Sequence, residues 1–150
     1  MKHLLIVGCL WLCCLYNVTA QKQLSRTYDA STLKTLHIDG DGAHQVVLQT
    51  SKTNQVTIRV QLEGETSDEI VIEEALKEHS LALRFSAWPY ATQYNDKLSA
   101  HKIVSVLVQL EVPENLFVSI TSGTAKVNAE GNFEMLYVAL EDEPCILKHF

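Results

Sequence analysis

The chain is 150 residues long, 47% hydrophobic, with eighteen acidic and twelve basic residues and a formal net charge of −6. That length is enough for one domain with a sizeable core. The acidic balance, with lysines scattered singly, excludes the basic stripe that nucleic acid or an anionic lipid surface requires.

The first twenty residues read as a leader rather than as part of the fold. Lys2 supplies a basic start, Leu4 to Tyr16 is an apolar run of thirteen residues, and Val18 and Ala20 are short residues before Gln21. That layout predicts a secretory signal peptide cleaved after Ala20. The run is shorter than the roughly 18 residues a spanning helix needs, so no membrane span is expected after cleavage. Ile6-Val7-Gly8-Cys9 resembles a lipobox, but soluble release is the favoured reading. The expected address is therefore outside the cytoplasm: periplasm, outer surface or medium. Cleavage removes Lys2, the leader's one charged residue, so the net charge goes from −6 to −7. It also removes Cys9, Cys13 and Cys14, leaving Cys145 without an intramolecular partner although the destination is oxidising.

Residues 21–32 are polar and mixed and are read as a lead-in. From there the dominant period is two, the mark of half-buried strands. Leu36 and Ile38 open one strand, ended by Asp39-Gly40-Asp41-Gly42, and Val46 and Leu48 lie on the next. Val56, Ile58, Val60 and Leu62 alternate with polar residues across 55–63. Residues 67–79 are ambiguous. Thr66-Ser67-Asp68-Glu69 fits a helix capping box, whereas Ile70-Val71-Ile72 is β-branched. A hairpin to the Leu81, Leu83, Phe85 strand is preferred. Ile103 to Val112 is the most apolar stretch and reads as a strand covered on both sides, stopped by Pro113.

In the last third, Val118, Ile120, Ala125, Val127 and Ala129 alternate inward around a Ser122-Gly123 interruption. Twenty residues on, Val138, Leu140, Cys145 and Leu147 occupy matching places around Glu141-Asp142-Glu143-Pro144. An interval of twenty suggests stacked solenoid rungs, although antiparallel hairpins give the same spacing. The second copy stops at Phe150 without a polar cap. The expectation is an incomplete C-terminal end that frays or self-associates from about Tyr137 onward.

Val112-Pro113-Glu114, Val118-Ser119-Ile120-Thr121-Ser122-Gly123 and Val127-Asn128-Ala129-Glu130-Gly131 together resemble the signature of the bacterial family named putative adhesins, with its toast-rack-like β-solenoid domain. Leu36-His37-Ile38-Asp39-Gly40 looks like that family's opening strand. The likeness covers roughly 33–150. It implies an all-β, non-enzymatic envelope domain, shorter here than the family pattern, and Ala125 and the 141–144 loop depart from the usual glycine-rich turn.

The search for chemistry favours no catalytic residue, cofactor or metal. His37, His44, His79, His101 and His149 form no pair at ligand spacing, and His37 is expected to face water. Asp39-Gly40-Asp41-Gly42 begins like a calcium loop, but its twelfth position is Thr50 where a glutamate is required. No Gly-x-Ser-x-Gly elbow exists, Ser122-Gly123 is placed at a rung corner, Cys145 is read as a small buried hydrophobe, and Glu73-Glu74 as solvated. Trp88, Tyr90 and Tyr94 are the candidate ligand or partner contacts, with the covering of a sheet edge as the competing role.

The reading is an exported all-β single domain of short strands, solenoid-like, acting as a structural, adhesive or interaction module on an envelope protein or surface glycan. The competing class is a secreted enzyme or carbohydrate-binding domain whose site assembles only in three dimensions.

Overall fold

A computed structural model describes residues 22–63, 70–87 and 105–148, which form eleven strands and no helix. The leader, the capping-box residues Thr66 to Glu69, the aromatics Trp88, Tyr90 and Tyr94, His101, Ile103 and His149 lie outside the described residues. Two sheets divide the strands. The six-stranded sheet holds, in spatial order, β1 (Lys22–Asp29), β4 (Gln55–Glu63), β7 (Ser105–Pro113), β3 (Gln45–Ser51), β9 (Lys126–Glu130) and β11 (Cys145–Lys148). The five-stranded sheet holds β10 (Met135–Leu140), β8 (Phe117–Ser122), β2 (Thr35–Asp39), β6 (Ser80–Ala87) and β5 (Ile70–Lys77).

Pairing is antiparallel at one end and parallel elsewhere. β1–β4, β4–β7 and β5–β6 are antiparallel. β7–β3–β9–β11 and β6–β2–β8–β10 run parallel. Each parallel rung therefore has one strand in each sheet: β6 with β7, β2 with β3, β8 with β9, and β10 with β11. The stack is solenoid-like in geometry but does not follow chain order. The rung that comes first in sequence, β2–β3, sits inside the stack, and β4 to β7 fold back on one side of it.

Alternation in the sequence explains the burial. Val56, Ile58, Val60 and Leu62 on β4 are no more than 1% exposed, while Gln55 and Arg59 face water. Leu36, Ile38, Val46, Leu48, Leu81, Leu83, Phe85, Val118, Ile120, Val127 and Ala129 join them in one hydrophobic cluster fed by both sheets. Burying such side chains contributes about 1.5–3 kcal/mol each, which suffices for a chain whose described part has no disulfide.

Several expectations change. The polar stretch read as a lead-in carries β1, which pairs with β4 from Gln23 opposite Gln61 to Asp29 opposite Gln55. Alternation is absent there because an edge strand needs backbone partners more than an apolar face. The ambiguous segment forms the hairpin β5–β6, turning at Glu78-His79. β7 is not covered on both sides: Val106, Val108, Leu110 and Val112 are buried, but Leu107 and Gln109 on the other face are only half-buried. Its central place in the sheet, not a second layer, shields that face.

The repeat interval also shifts. Val118 pairs with Leu136, Ile120 with Val138 and Val127 with Cys145, each eighteen residues apart rather than twenty. A slip of two keeps every residue on its face, so apolar alternation cannot separate the two registers. The strands are parallel, which removes the hairpin alternative.

Corner hydrogen bonds lock rung upon rung. The Ser122 hydroxyl accepts from Thr124 N at 3.1 Å and Ala125 N at 2.9 Å, closing the β8–β9 corner as the sequence placed it. Gly40 N donates to Thr121 O at 2.9 Å, and Glu141 N to Ser122 O at 3.3 Å. A side chain at Gly40 would meet Ser122 Cβ at 3.2 Å, so the small residues let these corners stack.

Candidate functional site

The outward face of the five-stranded sheet carries an open depression of about 430 Å³. Cross-strand register builds its floor in two rows. One runs Ala75, Ala82, His37 and Ser119 across β5, β6, β2 and β8. The next runs Glu73, Arg84, Asp39 and Thr121. All eight line the depression.

The second row is electrostatically ordered. Arg84 Nε donates to Asp39 Oδ2 at 2.9 Å, and Glu73 stands opposite Arg84 on the other side. The guanidinium is thus flanked by two carboxylate-bearing residues on rigid strands. Arg84 is 62% exposed and the pair contributes about 0–1 kcal/mol to stability, so it orients groups more than it holds the fold. His37 is exposed beside it, as its alternation with Leu36 and Ile38 predicts.

The aspartates of the glycine-rich loop are engaged in the turn. Asp39 Oδ1 accepts from Asp41 N at 3.2 Å. Asp41 Oδ1 accepts from Gly123 N at 2.7 Å, and Asp41 O accepts the Thr124 hydroxyl at 2.8 Å. The loop joins the β2–β3 corner to the β8–β9 corner. Among the described residues no group of three or more His, Cys, Asp or Glu could hold a metal ion. His79 serves structure as well, its Nδ1 lying 2.9 Å from Thr32 O.

Glu73 and Glu74, adjacent in sequence, part to opposite faces. Glu74 lies at the edge where β5 meets β1, with Arg26 Nε 3.7 Å away. The buried Tyr28 hydroxyl nearby has no hydrogen bond of good geometry among the described residues. Burial, reinforced by the neighbouring Glu74 carboxylate, holds that phenol well above its ordinary value.

Cys145 departs from the buried role expected of it. It is exposed on β11, the last strand of its sheet, where no described strand lies beyond to cover it. Partial desolvation still pushes its thiol up, which keeps it protonated and poorly nucleophilic at neutral pH. Of the residues that meet in the depression, the sequence singled out His37, Asp39 and Glu73 separately, each in a different role. Arg84, Ser119 and Thr121 were missed. Outward polar positions on strands were the available signal, but the order β5–β6–β2–β8 that unites them is not chain order.

No protein-family model matches the chain, and no curated protein does. Solved structures do. The chain is similar to a putative cell adhesion protein from Clostridium sporogenes, at 14% identity and a TM-score of 0.56, over 80% of this chain and 57% of that one. A putative adhesin from Parabacteroides merdae aligns at 9% identity and a TM-score of 0.35, over 84% and 56%. A putative lipid binding protein from Parabacteroides distasonis aligns at 10% and 0.36, over 84% and 63%. The adhesin likeness read from residues 112–131 thus holds at the level of fold: the chain has the fold of the Clostridium sporogenes protein and spans a little over half its length.

Proposed function

We propose that this chain is an exported, non-catalytic adhesive or scaffolding module of the cell envelope that meets its partner through the outward face of the five-stranded sheet. The observation that carries the reading is the two-row floor of the depression. It is wide and open, it offers hydroxyls, an imidazole and a guanidinium bonded to Asp39 with Glu73 opposite it in register, and Ala75 and Ala82 keep one side of its floor low. Enclosed small-molecule sites bury most of their ligand, whereas a shallow shelf on rigid strands fits an extended polar surface. A surface glycan or the polar face of an envelope protein has that chemistry. The leader-like first twenty residues support export, and the likeness to the putative cell adhesion protein of Clostridium sporogenes is compatible with adhesion.

The test is binding of the purified chain to a glycan array and to isolated envelope fractions, with Arg84→Ala and His37→Ala beside the parent. Both substitutions are at exposed positions, so folding should survive. The expected result is saturable binding weakened roughly tenfold by Arg84→Ala, the effect of losing about 1.4 kcal/mol of contact. Equal binding by parent and both variants would remove this face from the function.

A further inference from the structure

Among the described residues, the two ends of the strand stack differ in composition and in outline. At one end the edge strands are β1 and β5, which carry Arg26, Glu73, Glu74 and Lys77, with Arg26 close to Glu74. Leu76 is exposed there, but next to Lys77 and two residues from Glu74. Charges on an edge strand discourage further pairing. At the other end the edge strands are β10, Met135-Leu136-Tyr137-Val138-Ala139-Leu140, and β11, Cys145-Ile146-Leu147-Lys148. β10 has no charge, proline or glycine. Met135 is 58% exposed, Tyr137 55%, Ile146 49% and Leu147 51%.

The outlines differ as well. β10 and β11 belong to the same rung, so both sheets end level. At the far end the six-stranded sheet extends one strand, β1, past the rung of β4 and β5. A head-to-tail contact would have to join a level end to a stepped one, leaving one sheet short by a strand spacing of about 4.8 Å. It would also set apolar β10 against Glu73, Glu74 and Lys77. A level apolar end fits another level apolar end.

We propose that the β10–β11 end pairs with the same end of a second copy, antiparallel, about a two-fold axis normal to the sheets, so that each sheet continues across the contact. Such an axis keeps outward residues outward, and with Tyr137 opposite Tyr137 of the partner subunit it sets Met135 opposite Ala139 of the partner subunit. It also carries the acidic corner Glu141, Asp142 and Glu143 to the side away from its own counterpart. There it lies near Lys148 of the partner subunit, so opposite charges meet and like charges part. The contact uses the sheet edge, one strand beyond the Ser119 and Thr121 that line the depression on the outward face.

The experiment is sedimentation velocity over a hundredfold range of concentration, on the chain recovered from expressing cells with its N-terminus sequenced. Cys145, the one cysteine outside the leader region, reports the contact through its rate of reaction with a thiol reagent. The expected result is a reversible monomer–dimer equilibrium that stops at two, with Cys145 reacting severalfold more slowly in the dimer. Tyr137→Lys and Ile146→Lys, both at exposed positions, should each shift the equilibrium at least tenfold toward monomer without changing the strand signal in circular dichroism. A monomer at every concentration overturns the proposal, and that outcome leaves the outward-face reading untouched. Association unaffected by both lysine variants, as a retained leader would give, or growth beyond two copies, as a head-to-tail contact would give, also overturns it.

Discussion

Gly131 shows how a single residue can decide a corner. Its φ is +121°, and a Cβ there would lie 2.0 Å from Thr50 Oγ1 and 2.9 Å from Thr50 Cβ. The close approach has a purpose, since the Thr50 hydroxyl accepts from Asn132 N at 3.0 Å and Gly131 N donates to Lys148 O at 3.2 Å. Gly131→Ala should therefore cost about 2–4 kcal/mol, combining backbone strain with a clash against Thr50. Urea denaturation measures it, and a loss below about 1 kcal/mol would show that the corner yields. Asp29 supplies a pH dependence. Its carboxylate accepts from the Ser31 hydroxyl and from Ser31 N at 2.9 Å, and these bonds hold its pKa below the ordinary carboxylate range. A folded pKa below the unfolded one adds stability above the unfolded value of about 3.9, lost as pH falls through the lower folded value. Asp29→Ala should melt slightly below the parent at pH 7 and level with it at about pH 2. A difference that persists unchanged in acid would assign the effect to something other than the carboxylate.

At the scale of the element, strand faces were legible because burial acts on every second residue. Val56 to Leu62, Leu36 and Ile38, and Leu81 to Phe85 were all placed on the core side by alternation alone. Where burial does not act, alternation is silent. Among the described residues β1 has one edge open and β10 and β11 end the stack, so alternation marked no strand over residues 22–29 and set the repeat two residues off. The hairpin over 70–87 was separable from a helix because β-branched residues pack better on a pleated surface than against a helical turn. The depression was not legible. His37, Asp39, Glu73, Arg84, Ser119 and Thr121 come from four strands whose neighbours are set by a fold-back, and outward residues leave no pattern that encodes pairing. Gly131 stood in the resembling motif, but its reason, the Thr50 side chain filling the space of a Cβ, is a contact between distant strands.

For the whole molecule, the same layering sets a gradient of stability. β2, β3, β8 and β7 have strands on both sides and present inward apolar residues that are at most 3% exposed. β10 and β11 have a neighbour on one side only, and β11 is exposed at all four positions. Opening an edge rung exposes little further apolar surface, whereas opening β2 or β3 exposes the cluster shared by both sheets. Local openings with low free energy should therefore concentrate at the β10–β11 end, and the central rungs should exchange only through global unfolding. Hydrogen exchange at a concentration low enough to keep the chain monomeric reads this directly. Amides of β2, β3, β7 and β8 should show protection set by the full unfolding free energy. Amides from Tyr137 to Lys148 should exchange faster by at least about a hundredfold, corresponding to roughly 3 kcal/mol of missing protection. Raising the concentration should restore protection in β10 and β11 alone if a second copy covers them. Uniform protection along the stack in the monomer would mean that the end rung is stabilised by contacts other than its neighbours β8 and β9, and the gradient argument would fall.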